Sequence, residues 1–367
     1  MTGSSGFLGE ALLEAMLKDD SDIFYLIVRS QRGEDDLRDK CSWVGPNRLK
    51  FLRGDVTLPD LGLSSEDVKL LAKRIDEVWQ VAASTHLDDS KKGELEATNV
   101  EGTRNTVELA TKCERISRYY AISTAYICGA STGCVSEMGM PLDNGFKNLY
   151  ERTKYQSEDL VRRSGLPFVI IRPSIIMGHS RTGEARGEIR MFYGGLLAVY
   201  HAALQVCESE KRFWESWHHA GNGHFIDLDA RAYGHADTSK NLVTIDDVVN
   251  VCMAIRQTPA AVGKTFNVVN KHNLSVGYLI ESMQRALRIS GIRFEPNLSL
   301  NDIRGKHNPV EVFLHRHTKP WWPYLIHSEP DWETANVDSL GLQRIHMTEE
   351  LFHFLMQAYT EKYLRLA

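Results

Sequence analysis

Tyr150 and Lys154 enclose three residues in Tyr150-Glu151-Arg152-Thr153-Lys154, so on a helix the phenol and the ammonium share one face. A unit positive charge about 4 Å from the phenol, at an effective dielectric of about 20, is worth about 4 kcal/mol. At about 1.36 kcal/mol per pKa unit, that would draw the phenol up to about 3 units below its usual value near 10. The direction brings Tyr150 toward service as a proton donor at working pH. Alone, the spacing equally describes a surface pair on a helix. Two further residues keep it company. Thr124 closes a run from Tyr119 to Tyr126 that reads as a strand ending in hydroxyls, and it can donate a hydrogen bond to a substrate oxygen beside Tyr150. Asn99, in Asn99-Val100-Glu101-Gly102-Thr103, can hold a water or a backbone group in a proton relay, or simply cap a helix.

A phosphate-binding turn opens the chain. Gly3, Gly6 and Gly9 fall at G-x-x-G-x-x-G spacing in Thr2-Gly3-Ser4-Ser5-Gly6-Phe7-Leu8-Gly9, at the start of a helical pattern. Such spacing allows a tight turn, a close backbone approach to a pyrophosphate and close helix–sheet packing, with the helix N-terminus facing the anion. The segment Gly3, Ser4, Ser5, Gly6, Phe7 and Leu8 is therefore the expected cofactor cradle. A strand should precede this turn, and only Met1 does.

The next strand ends Val28-Arg29-Ser30, with no carboxylate before Glu34. A carboxylate there would bind a ribose 2′-hydroxyl, whereas a guanidinium pairs with a 2′-phosphate. Arg29 therefore points to NADP(H) over NAD(H), against the bland alternative of a solvated arginine. Asp55 and Val56, after the third strand, are placed to meet an adenine, or else Asp55 is a turn residue. Ala82 and Ala83 are small, as a strand end passing under a cofactor requires.

These groups need a sheet and helices to carry them. Apolar runs at Ile23–Val28, Leu49–Leu52, Val78–Val81, Tyr119–Ser123 and Phe168–Ile171 suit strands buried on both faces. Helical patterns at Phe7–Lys18, Glu94–Cys113 and Lys147–Arg163 lie between them. The alternation predicts an α/β fold with a doubly wound parallel (Rossmann) sheet. After Arg172-Pro173 the rhythm breaks; one amphipathic helix is expected from Gly195 to about Trp217. Leu242–Ile245 and Thr265–Val269 read as strands returning to the sheet around a helix Asp246–Gln257, and from Leu274 the pattern is helical, closing with Thr348–Leu364. The expected domains are residues 1–172 plus 241–270, which bind NADP, and a smaller, mostly helical substrate domain woven from two segments, 173–240 plus 271–367.

Composition sets outer limits. The 367 residues suit two domains, or one with a large extension, at about 150 residues per domain. With 43% hydrophobic and 25% charged residues, disorder and fibrous repeats are excluded. A net charge of -5 without a basic cluster argues against nucleic acid. No apolar run reaches the roughly 18 residues of a transmembrane helix, and the first residues lack the pattern of a signal peptide. Six scattered cysteines with no Cys-x-x-Cys fit free thiols and a cytoplasmic location.

Taken together, Gly3/Gly6/Gly9, Asp55, Asn99, Thr124, Tyr150/Lys154 and Arg172-Pro173-Ser174 resemble the extended short-chain dehydrogenase/reductases, over residues 1 to about 270. Gly178–Glu184 and Asn241–Val249 look like its thioester-reductase branch, which comprises fatty acyl-CoA reductases and the terminal reductase domains of carboxylic acid reductases and peptide synthetases. The resemblance implies NADPH-dependent reduction of an acyl thioester, on coenzyme A or a carrier protein, to an aldehyde, with two- or four-electron reduction, the latter giving an alcohol, left open. It implies that Thr124 and Tyr150 serve the carbonyl oxygen, that Lys154 holds the nicotinamide ribose, and that Pro173 borders the cofactor. The competing readings are a nucleotide-sugar epimerase or dehydratase, a ketone or aldehyde reductase, and a non-enzymatic dinucleotide sensor. Neither the acyl group nor the oligomeric state follows from the residues.

Weaker signals remain. Leu196, Val199, Tyr200, Ala203, Leu204 and Cys207 have helical spacing that suits an acyl-binding wall or ordinary core. His218, His219 and His224 make a poor metal set, since adjacent histidines on a helix diverge and no carboxylate or thiolate completes it; no metal is expected. Trp321-Trp322-Pro323 suits a packed turn or an aromatic substrate wall.

Overall fold

The computed structural model describes residues 1–19, 21–45, 47–141, 145–185, 191–221, 223–298 and 308–364. The chain forms two compact units. The first comprises Met1–Ile176, Ile245–Val269 and Pro330–Arg344, and the second Met177–Thr244, Asn270–Glu329 and Ile345–Ala367.

The apolar runs of the first unit become parallel strands: β1 (Phe24–Val28), β2 (Leu49–Arg53), β3 (Glu77–Gln80), β4 (Arg118–Ile122) and β5 (Phe168–Pro173), with Thr265–Val268 beside β5. Met1 and Thr2 fill the place of a strand between β1 and β3. Thr2 bridges in parallel to both Ile27 and Gln80. Its N–H donates to the Trp79 carbonyl (3.0 Å), and the Ile27 N–H donates to that of Met1 (3.0 Å). Across the sheet the order is β2, β1, Met1–Thr2, β3, β4, β5 and Thr265–Val268. The connection order reverses at the short Met1–Thr2 element, which is where doubly wound folds bind their ligands.

Helix α1 (Phe7–Met16) buries Leu8, Leu12, Leu13 and Met16. Two helices absent from the sequence expectation, α2 (Gln31–Lys40) and α3 (Ser65–Arg74), bury only Leu37 and Leu71 respectively, so their apolar periodicity is almost silent. The stretch expected as one helix, 94–113, is interrupted: a short α-turn, a π-helical segment Glu96–Glu101, then α4 (Gly102–Thr111). Helix α5 (Leu149–Arg163) starts from Asn148, whose side chain accepts the Glu151 N–H.

Several expectations for the rest of the chain need correction. Pro330–Arg344 belongs to the first unit. The Arg344 guanidinium grips the Asp247 carboxylate with bonds of 2.6 to 2.9 Å, and Asp331–Trp332 pairs in parallel with Cys134–Val135. The second unit is therefore woven from three segments. It is also less purely helical, since Ile226–Tyr233 and Ile289–Glu295 pair as parallel strands. The single helix expected over Gly195–Trp217 is two, Met191–Cys207 and Glu210–His219. The break falls at Glu208, whose φ of 63° is left-handed, followed by Ser209, whose hydroxyl accepts the Arg212 N–H (3.3 Å). Leu242–Thr244 lies in the second unit and takes no place in the large parallel sheet. Among the described residues, no helix is long and apolar enough to cross a membrane.

Candidate active site

The glycine turn is built for close backbone approach. Gly3 has a φ of 71°, and a Cβ there would lie 2.4 Å from the Ala82 nitrogen; a Cβ on Gly9 would lie 2.0 Å from the Gly3 carbonyl oxygen. Neither position tolerates a side chain. Ser5 and Gly6 are exposed and Phe7 is half-buried, while Leu8 turns into the core. The Ser4 hydroxyl is buried with no hydrogen-bond partner among the described residues. This bare turn, an orphaned hydroxyl, a ten-residue helix beginning at Phe7 and the small Ala82 and Ala83 fit a dinucleotide.

At the end of β1, Arg29 is exposed and makes no ion pair or hydrogen bond among the described residues. Its neighbours are committed. Arg32 leans on Asp36 (3.9 Å), and Glu34 takes both Arg38 (2.6 Å) and Arg53 (3.5 Å). Asp55 spends Oδ1 on its own turn, accepting the Thr57 N–H (2.9 Å) and hydroxyl (2.8 Å). The Val56 carbonyl accepts the Asn105 amide (2.8 Å).

Asn99 sits in the π-helical segment, a form that recurs at functional sites. Its Oδ1 accepts the Ser84 N–H (2.8 Å), and its Nδ2 donates to the Ser84 carbonyl (3.0 Å) and to the Thr153 hydroxyl (3.0 Å). Both amide protons are used, so of the two relay partners expected for Asn99, a water or a backbone group, the side chain holds backbone. It ties the loop after β3 to helix α5. A buried polar chain continues beneath the sheet: Thr103 donates to the Asn99 carbonyl (2.6 Å), Gln80 to Thr103 (2.5 Å), and the Tyr119 hydroxyl to Gln80 (2.6 Å).

Thr124, Tyr150 and Lys154 meet at the carboxyl end of β4. Thr124 is buried, and its hydroxyl is near enough to the Tyr150 phenol to pull its pKa downward. It also lies 3.5 Å from the Pro173 carbonyl, at the end of β5. Lys154, one turn along α5, donates to the Ile122 carbonyl (2.7 Å). The electrostatics differ from the sequence expectation. Burial pushes the Tyr150 phenol up to about 12, with Thr124 pulling in the opposite direction. Burial also pushes the Lys154 ammonium down to about 8, opposed by the Glu158 carboxylate. The Lys154 ammonium is spent on a backbone carbonyl, and desolvation dominates the phenol. Tyr150 is thus a protonated acid throughout the neutral range.

Sequence reasoning missed the layer under Lys154. Glu158, one turn further along α5, accepts the Ser123 hydroxyl (2.9 Å), Arg172 Nε (3.0 Å) and Arg162 Nη2 (2.8 Å). Arg172 is fully buried and also donates to the carbonyls of Ser136 (3.1 Å) and Gly139 (3.0 Å). Burial would raise the Glu158 carboxyl, but Arg172 and Arg162 outweigh it and hold it below its ordinary value. The i, i+4 spacing of Lys154 and Glu158 was the one available signal.

The two stretches that suggested the thioester-reductase branch are held by hydrogen bonds to backbone groups. In Gly178–Glu184, His179 N–H donates to the Glu184 carbonyl (2.9 Å) and Gly183 N–H to that of His179 (2.9 Å), closing a loop. In Asn241–Val249, the Asn241 amide pairs both ways with the Asn270 backbone, at 2.9 and 2.8 Å. His218, His219 and His224 are exposed, and among the described residues no three His, Cys, Asp or Glu side chains are grouped to hold a metal.

A profile of the family described as Male sterility protein, NAD_binding_4, matches residues 1–217. The chain belongs to this family. As a male sterility NAD-binding protein it falls in the thioester-reductase branch of the extended short-chain dehydrogenase/reductases, a family of NAD(P)-dependent oxidoreductases. It is similar to fatty acyl-CoA reductase wat of Drosophila melanogaster, 26% identical over 236 residues, which cover 53% of this chain and 45% of that one. It is also similar to the hybrid PKS-NRPS synthetase gkaA of Penicillium citrinum, 32% identical over 222 residues, covering 58% of this chain and 5% of the synthetase. Among solved structures, the terminal R domain from the myxalamid PKS-NRPS biosynthetic pathway shares the fold. Its TM-score is 0.75 at 21% identity, over 99% of this chain and 90% of that one. The family member described here spans less than half the length of the Drosophila reductase.

Proposed function

We propose that the protein reduces the carbonyl of an acyl thioester to the aldehyde, with NADPH as the reductant. The observation that carries this reading is the convergence at a strand end of the Thr124 hydroxyl and the Tyr150 phenol, which Thr124 pulls toward ionisation, with Lys154 on the next turn of the helix that bears Tyr150. The likeness to fatty acyl-CoA reductases and to a PKS-NRPS terminal reductase domain supports a thioester over a free ketone.

The residues divide the work. The Gly3–Leu8 turn and the start of α1 bind the pyrophosphate through backbone N–H groups. The unpaired Arg29 guanidinium takes the 2′-phosphate, which favours NADPH over NADH. Asp55 and Val56 border the adenine, and Ala82, Ala83 and Pro173 line the path of the dinucleotide. Lys154 orients the nicotinamide ribose. A bound nicotinamide dinucleotide supplies hydride to the carbonyl carbon. As negative charge grows on the carbonyl oxygen, Thr124 Oγ1 donates a hydrogen bond to it and Tyr150 Oη hands over its proton. The hemithioacetal so formed then breaks its C–S bond, its hydroxyl proton leaving with the sulfur as the free thiol while the carbonyl of the aldehyde forms. A phenol with a pKa of about 12 is fully protonated when that demand arises. Asn99 acts through others, holding α5 and the loop after β3 in register.

The test is loss of NADPH absorbance against a panel of acyl-CoA thioesters, free aldehydes, ketones and nucleotide sugars. Consumption with thioesters is expected. Turnover confined to aldehydes or ketones, or epimerisation of a sugar without net consumption of NADPH, would overturn the reading.

A further inference from the structure

The second unit contains a cavity of its own, enclosing about 730 Å³ of empty space counted to its open mouth. Its wall is almost wholly apolar and includes Phe192, Val199, Met283, Leu314, Trp321 and Leu325. Lys240 lines it too, but its ammonium is neutralised by Glu329 and donates to the His327 carbonyl (2.8 Å), so the stem is what it offers.

Two features say what the cavity is shaped to hold. The first is a pair of glycines inside the helix Met191–Cys207, where glycine is disfavoured. Gly194 is explained by packing, since a Cβ there would lie 3.0 Å from the Trp321 ring. Gly195 is different. A Cβ on it would sit at ordinary contact distance, 3.6 Å from Met283 Cε and from Trp321, so what the bare position leaves open is cavity. The second feature is His315, a lining residue only 4% exposed. Its Nε2 donates to the Arg231 carbonyl (3.1 Å), which makes Nδ1 the acceptor of a neutral ring. Nδ1 is buried and has no partner among the described residues. Burial lowers the imidazole pKa, which keeps the ring neutral. An orphaned acceptor on an otherwise apolar wall asks for one donor from whatever fills the space.

We propose that this cavity binds an aliphatic chain carrying a single hydrogen-bond donor, a hydroxyl or an amide N–H. The proposal stands apart from the thioester reading, because its features all belong to the second unit.

The experiment titrates the full-length protein calorimetrically with 1-decanol and with methyl decyl ether, which has the same chain but no donor. Wild type should bind the alcohol, and the ether about fivefold more weakly or worse. Gly195→Leu, which fills the space, should weaken the alcohol at least about tenfold, whereas Gly195→Ala should keep it within about twofold. Circular dichroism checks that each variant is folded. If Gly195→Leu does not fold, Ile280→Trp blocks the cavity from another helix. No binding by wild type, equal binding of alcohol and ether, or unchanged binding in a folded blocking variant would each overturn the proposal. A further arm finds the source of the chain, by comparing KM for 12-hydroxydodecanoyl-CoA and butyryl-CoA in Gly195→Leu. A rise for the long hydroxylated thioester alone identifies a substrate tail that carries the donor, and no change in either identifies a separate lipid; both support the cavity. Absence of NADPH consumption with every thioester would remove the thioester reading and leave the decanol titration intact.

Discussion

Asn99 grips the backbone of Ser84 at both of its polar groups, accepting its N–H at 2.8 Å and donating to its carbonyl at 3.0 Å. This is side-chain mimicry of a strand partner in a place where no strand runs. Replacing Asn99 by alanine strands two buried backbone groups and takes a donor from the Thr153 hydroxyl, which keeps its bond to the Tyr150 carbonyl. We expect Asn99→Ala to lower stability by about 2–4 kcal/mol, read from urea midpoints. Turnover should fall as well, because the loop after β3 and the helix bearing Tyr150 lose their common anchor.

Tyr150→Phe should leave the fold unchanged, because the ring stays in place, and should lower kcat about a hundredfold to ten-thousandfold. Thr124→Val should lower kcat less and shift the phenol further upward, since the Thr124 hydroxyl opposes the effect of burial. Steady-state NADPH oxidation and ultraviolet titration of the tyrosines check the two statements. Full activity in Tyr150→Phe would remove the phenol from the chemistry.

Lys154 gives stability a pH dependence of predictable sign. Its folded pKa is about 8, against 10.5 for the free side chain. Below pH 8 both states are protonated, and the buried ammonium counts against the fold. Between about 8 and 10.5 the folded state has shed the proton and the unfolded state has not, so the unfolded state binds more protons and stability rises with pH. Relative to Lys154→Met, wild type should therefore gain up to about 3 kcal/mol across that window. Parallel denaturation curves at pH 7, 8, 9 and 10 measure the gain. A flat difference would mean that the ammonium is solvated.

Glu158→Gln should be far more damaging than its conservative look suggests. It leaves the fully buried Arg172 guanidinium without its counter-charge. A loss of about 3–5 kcal/mol is expected. Where the variant folds, the Lys154 pKa should drop further, because the Glu158 carboxylate now raises it. The alkaline limb of the kcat/KM profile would move to lower pH.

Arg29→Ala should raise KM for NADPH about ten- to hundredfold, the worth of a charge-assisted pair. KM for NADH should stay where it is. Unchanged selectivity would assign the guanidinium to solvent.

Much of the sheet was legible because a strand buried on both faces must be written as an apolar run, and β1, β4 and β5 are. The amphipathic α1 and α5 were equally plain. Helices α2 and α3 were not, since each buries a single leucine and the rest of its surface is charged. Ile226–Tyr233 and Ile289–Glu295 escaped notice because they are only partly buried and lack a continuous apolar stretch. At the site, Thr124, Tyr150 and Lys154 could be found from spacing and strand-end position. The grip of Glu158 on Arg172 could not, because 14 residues and a strand separate them and only folding brings them together. The fall of the phenol pKa expected from Lys154 failed for a related reason, namely that sequence spacing carries a charge but not its desolvation.

Arg344 on Asp247 shows how thoroughly the two units share one thread, since the polypeptide changes unit five times before it ends. No single cut can therefore release either unit whole. A fragment ending at Val269 would keep every strand of the large sheet yet leave the Asp247 carboxylate without the guanidinium that now closes over it. Gene truncation is thus a poor route to a minimal dinucleotide-binding piece.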